Sequence, residues 1–399
     1  MKKLNIPDEL LDKLKTQSDV GDLVGDIYKQ LVEKMLEKEM DEHLGYSKND
    51  RKAKQTSNHR NGKSTKRLKS DEGEVTIDIP RDRAGEFEPV IVPKHDRMSD
   101  KIKDAIISFY AKGMTVSDIT EQINEIYGVK LSSGSISNIT DSVLEHLRDW
   151  QSRPLETVYF VAWIDGIVFK VRHNGKVINK TVYVVIGLSH KGHKEVLGLW
   201  IHESESAAFW MNVFGDLQSR GVEDILIVCS DNLTGLTEGI RSIFPQSENQ
   251  VCIVHQIRNA SRYVVHKDKK EFVNDMKPIY QAVNIDQAAY ALDQLEQKWG
   301  DKYPHSIQSW RRNWQELTVF FDYPQAIRKI IYTTNVIESF NSMIRRQTAK
   351  KTIFPTDNAV FKSLFLAVDR ISKKWENTIW NWGIIVNQFL IKFEERCRI

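Results

Sequence analysis

The chain has 399 residues, 41% of them hydrophobic, with ten Trp, twelve Tyr and sixteen Phe and a formal charge of +3. That length predicts more than one domain, and the composition excludes a disordered chain. Three cysteines (Cys229, Cys252, Cys397) are too few for a disulfide framework, and no apolar run approaches the ~18 residues of a membrane span. The start, MKKLNIPDELLDKLK, carries no apolar core of the kind a secretory leader needs. The expectation is a chain that meets no membrane and works in a reducing cytoplasm.

Residues 7–45 are helical in pattern. Leu23, Ile27, Leu31, Met35 and Leu36 recur at helical spacing, and Gly45 suits the C-cap. The stripe needs a partner, within the chain or in a second subunit, so residues 1–47 are expected as a helical region with a role in dimerisation. Residues 48–70 change character, with nine Lys or Arg against Asp50 alone. Such a run repels itself. It reads either as a flexible linker or as an arm that neutralises phosphates, through Arg51, Lys52, Lys54, Arg60, Lys63, Lys66, Arg67 and Lys69. Val75, Ile77 and Ile79 alternate with polar residues, and Val90, Ile91 and Val92 form a second run. Together they predict a small β-ribbon that completes a region spanning 48–98.

Residues 99–150 read as three amphipathic helices. Ser99 and Thr115 are N-caps, Gly113 and Gly128 end the first two helices, and Ile119, Ile123 and Ile126 are expected to face inward. Two readings stay open, a helix-turn-helix DNA-binding domain and an ordinary three-helix bundle. In the first, the third helix enters a major groove and presents small polar residues, among them Ser135 and Asn138.

From residue 157 the period becomes that of strands: TVYFVAWID, KTVYVVIGLS and KEVLGLWIH, with Asn174-Gly175 as a hairpin turn. A helix, the strand DILIVCSD, a short helix and the strand QVCIVHQ follow. Three antiparallel strands, then helix, strand, helix and strand, are the order of a ribonuclease-H-like α/β core, over 155–267 for its first part. Residues 268–331 are helical and interrupted by Pro278, Gly300, Pro304 and Pro324. A compact fold needs far fewer residues there, so they are expected as a helical insertion. Residues 332–399 complete the core with the segment TTNVIESFNSMIRR and basic C-terminal helices. Arg345, Arg346, Lys350 and Lys351 extend the candidate phosphate contacts.

Three acids stand out. Asp165 and Asp231 are each expected at the tip of an apolar strand, and Glu338 on a later helix. Two divalent ions ~4 Å apart, held by a few carboxylates, activate a hydroxyl or water and stabilise a leaving oxygen. Mg²⁺ suits such a site because it takes carboxylate oxygens and borrows substrate phosphates. Glu338 has a rival role, since Asn335 three residues before it makes a helix-capping pattern. Glu203, Glu205, Asp216, Asp224 and Glu238 read as solvated or capping acids. Cys252 and His255 form a Cys-x-x-His pair, open to structural packing, active-site hydrogen bonding or a metal, with no second pair nearby to complete a zinc site.

The segments RNGKSTKRLKSDEGEVTIDIPRDRAGEFEP, GMTVSDITEQINEIYG, AWIDGIVFKVR, CSDNLTGLTEGI, CIVHQIRN and YTTNVIESFNSMIRRQTAKKTIFPTDNAVFKSLFLA together resemble the Mutator-type transposases of bacterial insertion sequences. The resemblance implies an Asp-Asp-Glu triad of Asp165, Asp231 and Glu338 that holds two Mg²⁺ ions, with Mn²⁺ as substitute. It makes Cys252 and His255 the family's Cys-x-x-His signature beside the active site. It also implies DNA partners (terminal inverted repeats and target DNA), strand nicking followed by 3′-hydroxyl strand transfer, and a homodimer or larger assembly on the bacterial chromosome. A ribonuclease-H-like nuclease or resolvase without strand transfer, and a helix-turn-helix regulator, are the alternatives.

Overall fold

The computed structural model describes residues 14–48, 50, 56–71, 73–94, 97–331, 335–375 and 377–397. The expected arm residues Arg51, Lys52 and Lys54, and the side chain of Asn335, lie outside that set. The chain divides into two compact units, 1–142 and 143–399. No described helix is long and apolar enough to cross a membrane.

The first unit begins with helix α1 (Gln17–Leu44), which opens on a capping box between Thr16 and Asp19 and closes on Gly45. Strands β1 (Arg60–Ser70) and β2 (Gly73–Asp82) pair antiparallel beside it. The expected ribbon is therefore built differently. The basic run itself supplies one strand, and Val90–Val92 is not the other. Acids of α1 explain both results. Glu37 pairs with Lys63 and Asp41 with Arg60, which removes the repulsion along β1. Glu39 accepts the N–H groups of Val90 and Ile91, which a second strand would have needed for its ladder.

The buried face of α1 also differs from expectation. Val32, Leu36, Met40 and Leu44 are buried, whereas Val20, Val24, Ile27, Leu31 and Met35 form an exposed row. The unit ends in α2 (Asp100–Ala111), α3 (Val116–Tyr127) and α4 (Ser133–Asp141), capped by Ser99, Thr115 and Ser132. Ile119 and Ile123 are buried, but Ile126 is exposed. The third expected helix is broken at Ser142. Its second half, α5 (Val143–Ser152), belongs to the other unit, where Gln151 accepts the N–H of Leu199.

The second unit is built on a mixed sheet of β3 (Val158–His173), β4 (Lys176–Ser189), β5 (Lys194–His202), β6 (Asp224–Ser230) and β7 (Glu248–Val251). Among the described residues its order is β5-β4-β3-β6-β7. β3, β4 and β5 are antiparallel, and β6 and β7 run parallel to β3. Helices α6 (Ala207–Ser219) and α7 (Leu236–Ile243) cover one face through Trp210, Phe214 and Leu217. The other face carries everything after β7: α8 (Ile253–Arg262), α9 (His266–Asp275), α10 (Lys277–Tyr280), α11 (Ile285–Trp299), α12 (Pro304–Arg312), α13 (Trp314–Thr318), α14 (Gln325–Ile331), α15 (Asn335–Thr348), α16 (Asp357–Ser372) and α17 (Trp382–Phe393). Trp299, Trp310 and Ile331 join Val161, Trp163 and Ile227 of the sheet in one apolar core. The helical run thus shares the core of the sheet and has none of its own. Two of its breaks fall where the sequence marks them: Gly300 caps α11, and Pro304 opens α12.

β3 does not stop at Asp165. It continues to His173 in register with β4, and the turn takes Asn174 (φ 48°) and Gly175 (φ 77°) in the left-handed conformation of a two-residue hairpin. Residues 158–164 are all buried, and beyond Gly166 the buried Ile167, Phe169 and Val171 alternate with exposed residues, so β3 passes from covered on both faces to half-buried at Asp165-Gly166. Phe354 pins the projecting hairpin by accepting the Arg172 N–H, donating to Lys170 O, and packing edge-on against Phe169.

Candidate active site

β6 pairs with β3 up to Ile164↔Ser230. The next residue on each strand is an acid, Asp165 and Asp231. Neighbouring strands lie about 4.8 Å apart, so this register sets the two side by side. Asp165 therefore sits within β3, at the point where the sheet narrows from five strands to the three of the antiparallel part. Trp163, Asp165 and Ile167 share one face of β3, and Asp165 is the polar member of that row. Gly166 keeps the strand close to β4; a Cβ there would lie 2.6 Å from Thr181 Cγ2.

Each carboxylate has a defined partner. The Gly166 N–H donates to Asp165 Oδ1 at 2.7 Å, and Asn341 Nδ2 donates to Asp165 Oδ2. His255 Nδ1 forms an ion pair with Asp231 Oδ1. Glu338, in the first turn of α15, meets Arg258 Nη2 at 3.0 Å and His255 Nε2 at 4.0 Å. Arg258 and His255 are three residues apart on α8, hence on one face of it, as are Glu338 and Asn341 on α15. Five chain segments thus converge: β3, the end of β6, the end of β7 with Cys252, α8 and α15. Ligand atoms of Asp231, Cys252 and His255 lie within 4.8 Å of one another.

The electrostatics follow from this crowding. Burial pushes the Asp165 carboxyl up, and the charge of Asp231 adds to it, giving a pKa of about 6 despite the Gly166 N–H, His255 and the Asn341 amide. Burial alone would lower the His255 imidazole. The Asp231 carboxylate and the Cys252 sulfur outweigh it and raise the pKa to about 10, so His255 is an imidazolium at neutral pH. Cys252 is fully buried, and its backbone N–H ties β7 to Ser230 O. The sequence pattern puts Asn341 on the polar face of α15 with Glu338 but gives it no bonding partner, and it gives Arg258 no role. Their spacing of three from Glu338 and His255 was the available signal.

The competing acids are engaged elsewhere. Glu203 pairs with Lys180, Asp216 with Arg220, and Asp224 with Arg396 through two bonds. Glu205 accepts from Tyr183 and from the Thr234 N–H.

The expected phosphate contacts divide by environment. Arg60 lies over the Tyr46 ring and pairs with Asp41, Lys66 donates to the carbonyls of Pro93 and Lys94, and Lys69 donates to Lys130 O. Arg67 is exposed, as are Arg345, Arg346, Lys350 and Asn138. Ser135 Oγ lies 2.9 Å from Ser132 Oγ at the start of α4. Lys351 is partly buried and donates to Ser363 Oγ.

Burial, with Lys362 nearby, lowers the Lys351 pKa to about 7. In the unfolded chain a lysine titrates near 10.4, so between these values the unfolded state binds more protons and stability rises with pH. Below about pH 7 the burial cost is present in full. Lys351→Met is expected to raise the urea midpoint at pH 6, and the gain should shrink as pH rises towards 10. A gain that is independent of pH would mean the ammonium is not the source.

The family model described as "Transposase, Mutator family" matches residues 2–378. A transposase for insertion sequence element ISRM3 from Rhizobium meliloti is 42% identical over 90% of this chain and 89% of its own length. A probable transposase for an ISRM3-like element from Sinorhizobium fredii has the same identity and coverage. The transposase for insertion sequence element IS905 from Lactococcus lactis is 32% identical over 89% of this chain and 90% of its own.

Proposed function

The chain belongs to the Mutator family of transposases, and from that membership we propose that Asp165, Asp231 and Glu338 are its catalytic triad. The observation that carries this reading is their convergence from β3, β6 and α15 around His255. The order of the sheet supports a ribonuclease-H-like core.

The donor set fits divalent cations. Two carboxylates lie side by side, and Asp165 is held near pKa 6 partly by the charge of Asp231, which a cation would relieve. Asp231 Oδ1 and Glu338 Oε1 are buried, and each has an ion-pair contact but no regular hydrogen bond. Asp165, Asp231 and Glu338 would hold two Mg²⁺ ions, or Mn²⁺ in their place, which supply an activated hydroxyl and charge for the leaving oxygen.

The chain's own residues do the rest. Gly166 and Asn341 fix both oxygens of Asp165 in one orientation. His255 and Arg258 offset the acid charges, and Arg258, with 61% of its side chain exposed, is available to a DNA phosphate. Cys252 and His255 serve as positioning residues, the sulfur helping to keep the imidazole charged and in place. This reading makes the enzyme a nicking and 3′-hydroxyl strand-transfer catalyst acting at terminal inverted repeats on the bacterial chromosome. α2 to α4 fit a helix-turn-helix reader of those repeats. The exposed row Val20, Val24, Ile27, Leu31 and Met35 is spaced four, three, four and four residues apart, one apolar stripe along α1, and supports a homodimer.

The basic strand gives a test that separates DNA contact from structure. Arg67→Ala should leave thermal stability unchanged, weaken binding to an inverted-repeat duplex, and reduce the salt slope by about one. Arg60→Ala should instead lower the melting temperature, because it strips the partner from Asp41. An unchanged slope for Arg67→Ala would remove β1 from the DNA interface.

A further inference from the structure

A cavity of about 350 Å³ opens on the face of the sheet that carries the acids. β3 contributes Trp163 to it, two residues before Asp165, and α15 contributes Val336, two before Glu338. Ile330 and Ile384 give it apolar walls. Trp380, also part of its lining, is 87% exposed. A tryptophan that open leaves its aromatic face to water unless something stacks on it.

Trp163, 1% exposed, forms part of the cavity floor. Asn381 sits at φ 60°, a left-handed conformation, at the start of α17, and its side chain makes no capping bond. An open aromatic face and an uncommitted amide in one apolar cavity match a flat aromatic ligand with polar groups along its edge. In a protein of this family, two residues from the acids, that ligand is a base of DNA.

We propose that this cavity receives an unstacked nucleobase of the strand processed at the acid cluster, with Trp380 as the stacking face and Asn381 as an edge contact. The inference rests on the reading of Asp165, Asp231 and Glu338 as the site of cleavage. Base–aromatic stacking tolerates every base, so the pocket holds a nucleotide by position in the strand more than by sequence. An unpaired or missing base enters such a pocket with least cost.

The test uses the full chain and synthetic duplexes bearing the terminal repeat of its element, intact or with one abasic nucleotide placed in turn at each position around the cleavage junction. On intact duplex, Trp380→Ala should cleave about ten- to a hundredfold more slowly than the parent. Trp380→Phe should recover most of the rate. Asn381→Ala, which deletes the edge contact, should lose several-fold. At one abasic position the parent and Trp380→Ala should become equal, because there is no base left to stack. Parent-like cleavage by Trp380→Ala overturns the proposal. So does an equal defect at every abasic position, which would assign Trp380 to packing or to a protein contact. If Asp165→Asn is inactive while Trp380→Ala is parental, only the pocket proposal fails; if Asp165→Asn cleaves normally, the parent reading fails first.

Discussion

Asp165→Asn should fold at least as stably as the parent and cleave DNA ends roughly 10³-fold more slowly or worse. The two halves of this expectation have one cause. The Asp165 carboxylate is buried and set beside Asp231, so its charge is costly, as its pKa of about 6 reflects. Asparagine keeps the size, still accepts from the Gly166 N–H, and deletes the repulsion. A thermal melt in EDTA checks the first half, and a gel assay of nicked end duplex with Mg²⁺ checks the second. A clear drop in melting temperature would mean that Asp165 is a structural partner of Asn341. Binding of the end duplex should survive, since the substitution leaves every basic residue of β1 in place.

Glu338→Gln separates two roles that the helix position leaves entangled. Glu338 lies in the first turn of α15, where an acid is stabilised by the helix dipole by about 0.3–1 kcal/mol. Its ion pair is with Arg258, whose side chain is 61% exposed, and such pairs contribute about 0–1 kcal/mol. If those roles were all, glutamine would cost stability on that scale and leave cleavage intact. As a cation ligand, its loss should reduce cleavage about 10³-fold or more while the melting temperature moves little. A double variant with Arg258→Ala should melt no lower than the sum of the single changes, and should cleave no faster than Glu338→Gln alone. Cleavage within a few-fold of the parent by Glu338→Gln would leave the triad with two members.

Much of the second unit is legible in the chain because its signals are local. ILIVCSD and VAWID are continuous apolar runs, as parallel strands covered on both faces require, and their adjacency follows from the order of strands and helices. Asn174-Gly175 marks its turn directly. The length of β3 is hidden by the same feature that drew attention to it, since Asp165-Gly166 looks like a strand end. What carries the strand onward is pairing with β4 and the clasp of Phe354, which is 189 residues away from Asp165 in sequence.

The N-terminal misreadings share a different cause. β1 reads as a flexible arm until Glu37 and Asp41 of α1 are placed against it. The packed face of α1 is set by β2, and the exposed row beside it leaves open the second-subunit partner that the sequence pattern allowed. Break points also depend on what a segment packs against: α4 and α5 form one continuous helical pattern, and the division at Ser142 comes from each half joining a different core. In the site, Asn341 and Arg258 are ordinary polar residues in the sequence. Only the approach of α15 and α8 to the strand ends gives them partners.

The central claim is that acids from three elements act as one cation site. Its most direct measurement is electron paramagnetic resonance of Mn²⁺ titrated into the protein bound to an end duplex, for the parent and for Asp165→Asn, Asp231→Asn and Glu338→Gln. The parent should deplete the free-ion signal with up to two ions per site, and each variant should require at least about tenfold more Mn²⁺ for the same depletion. Binding by all three variants that matches the parent, with cleavage retained, would contradict the account.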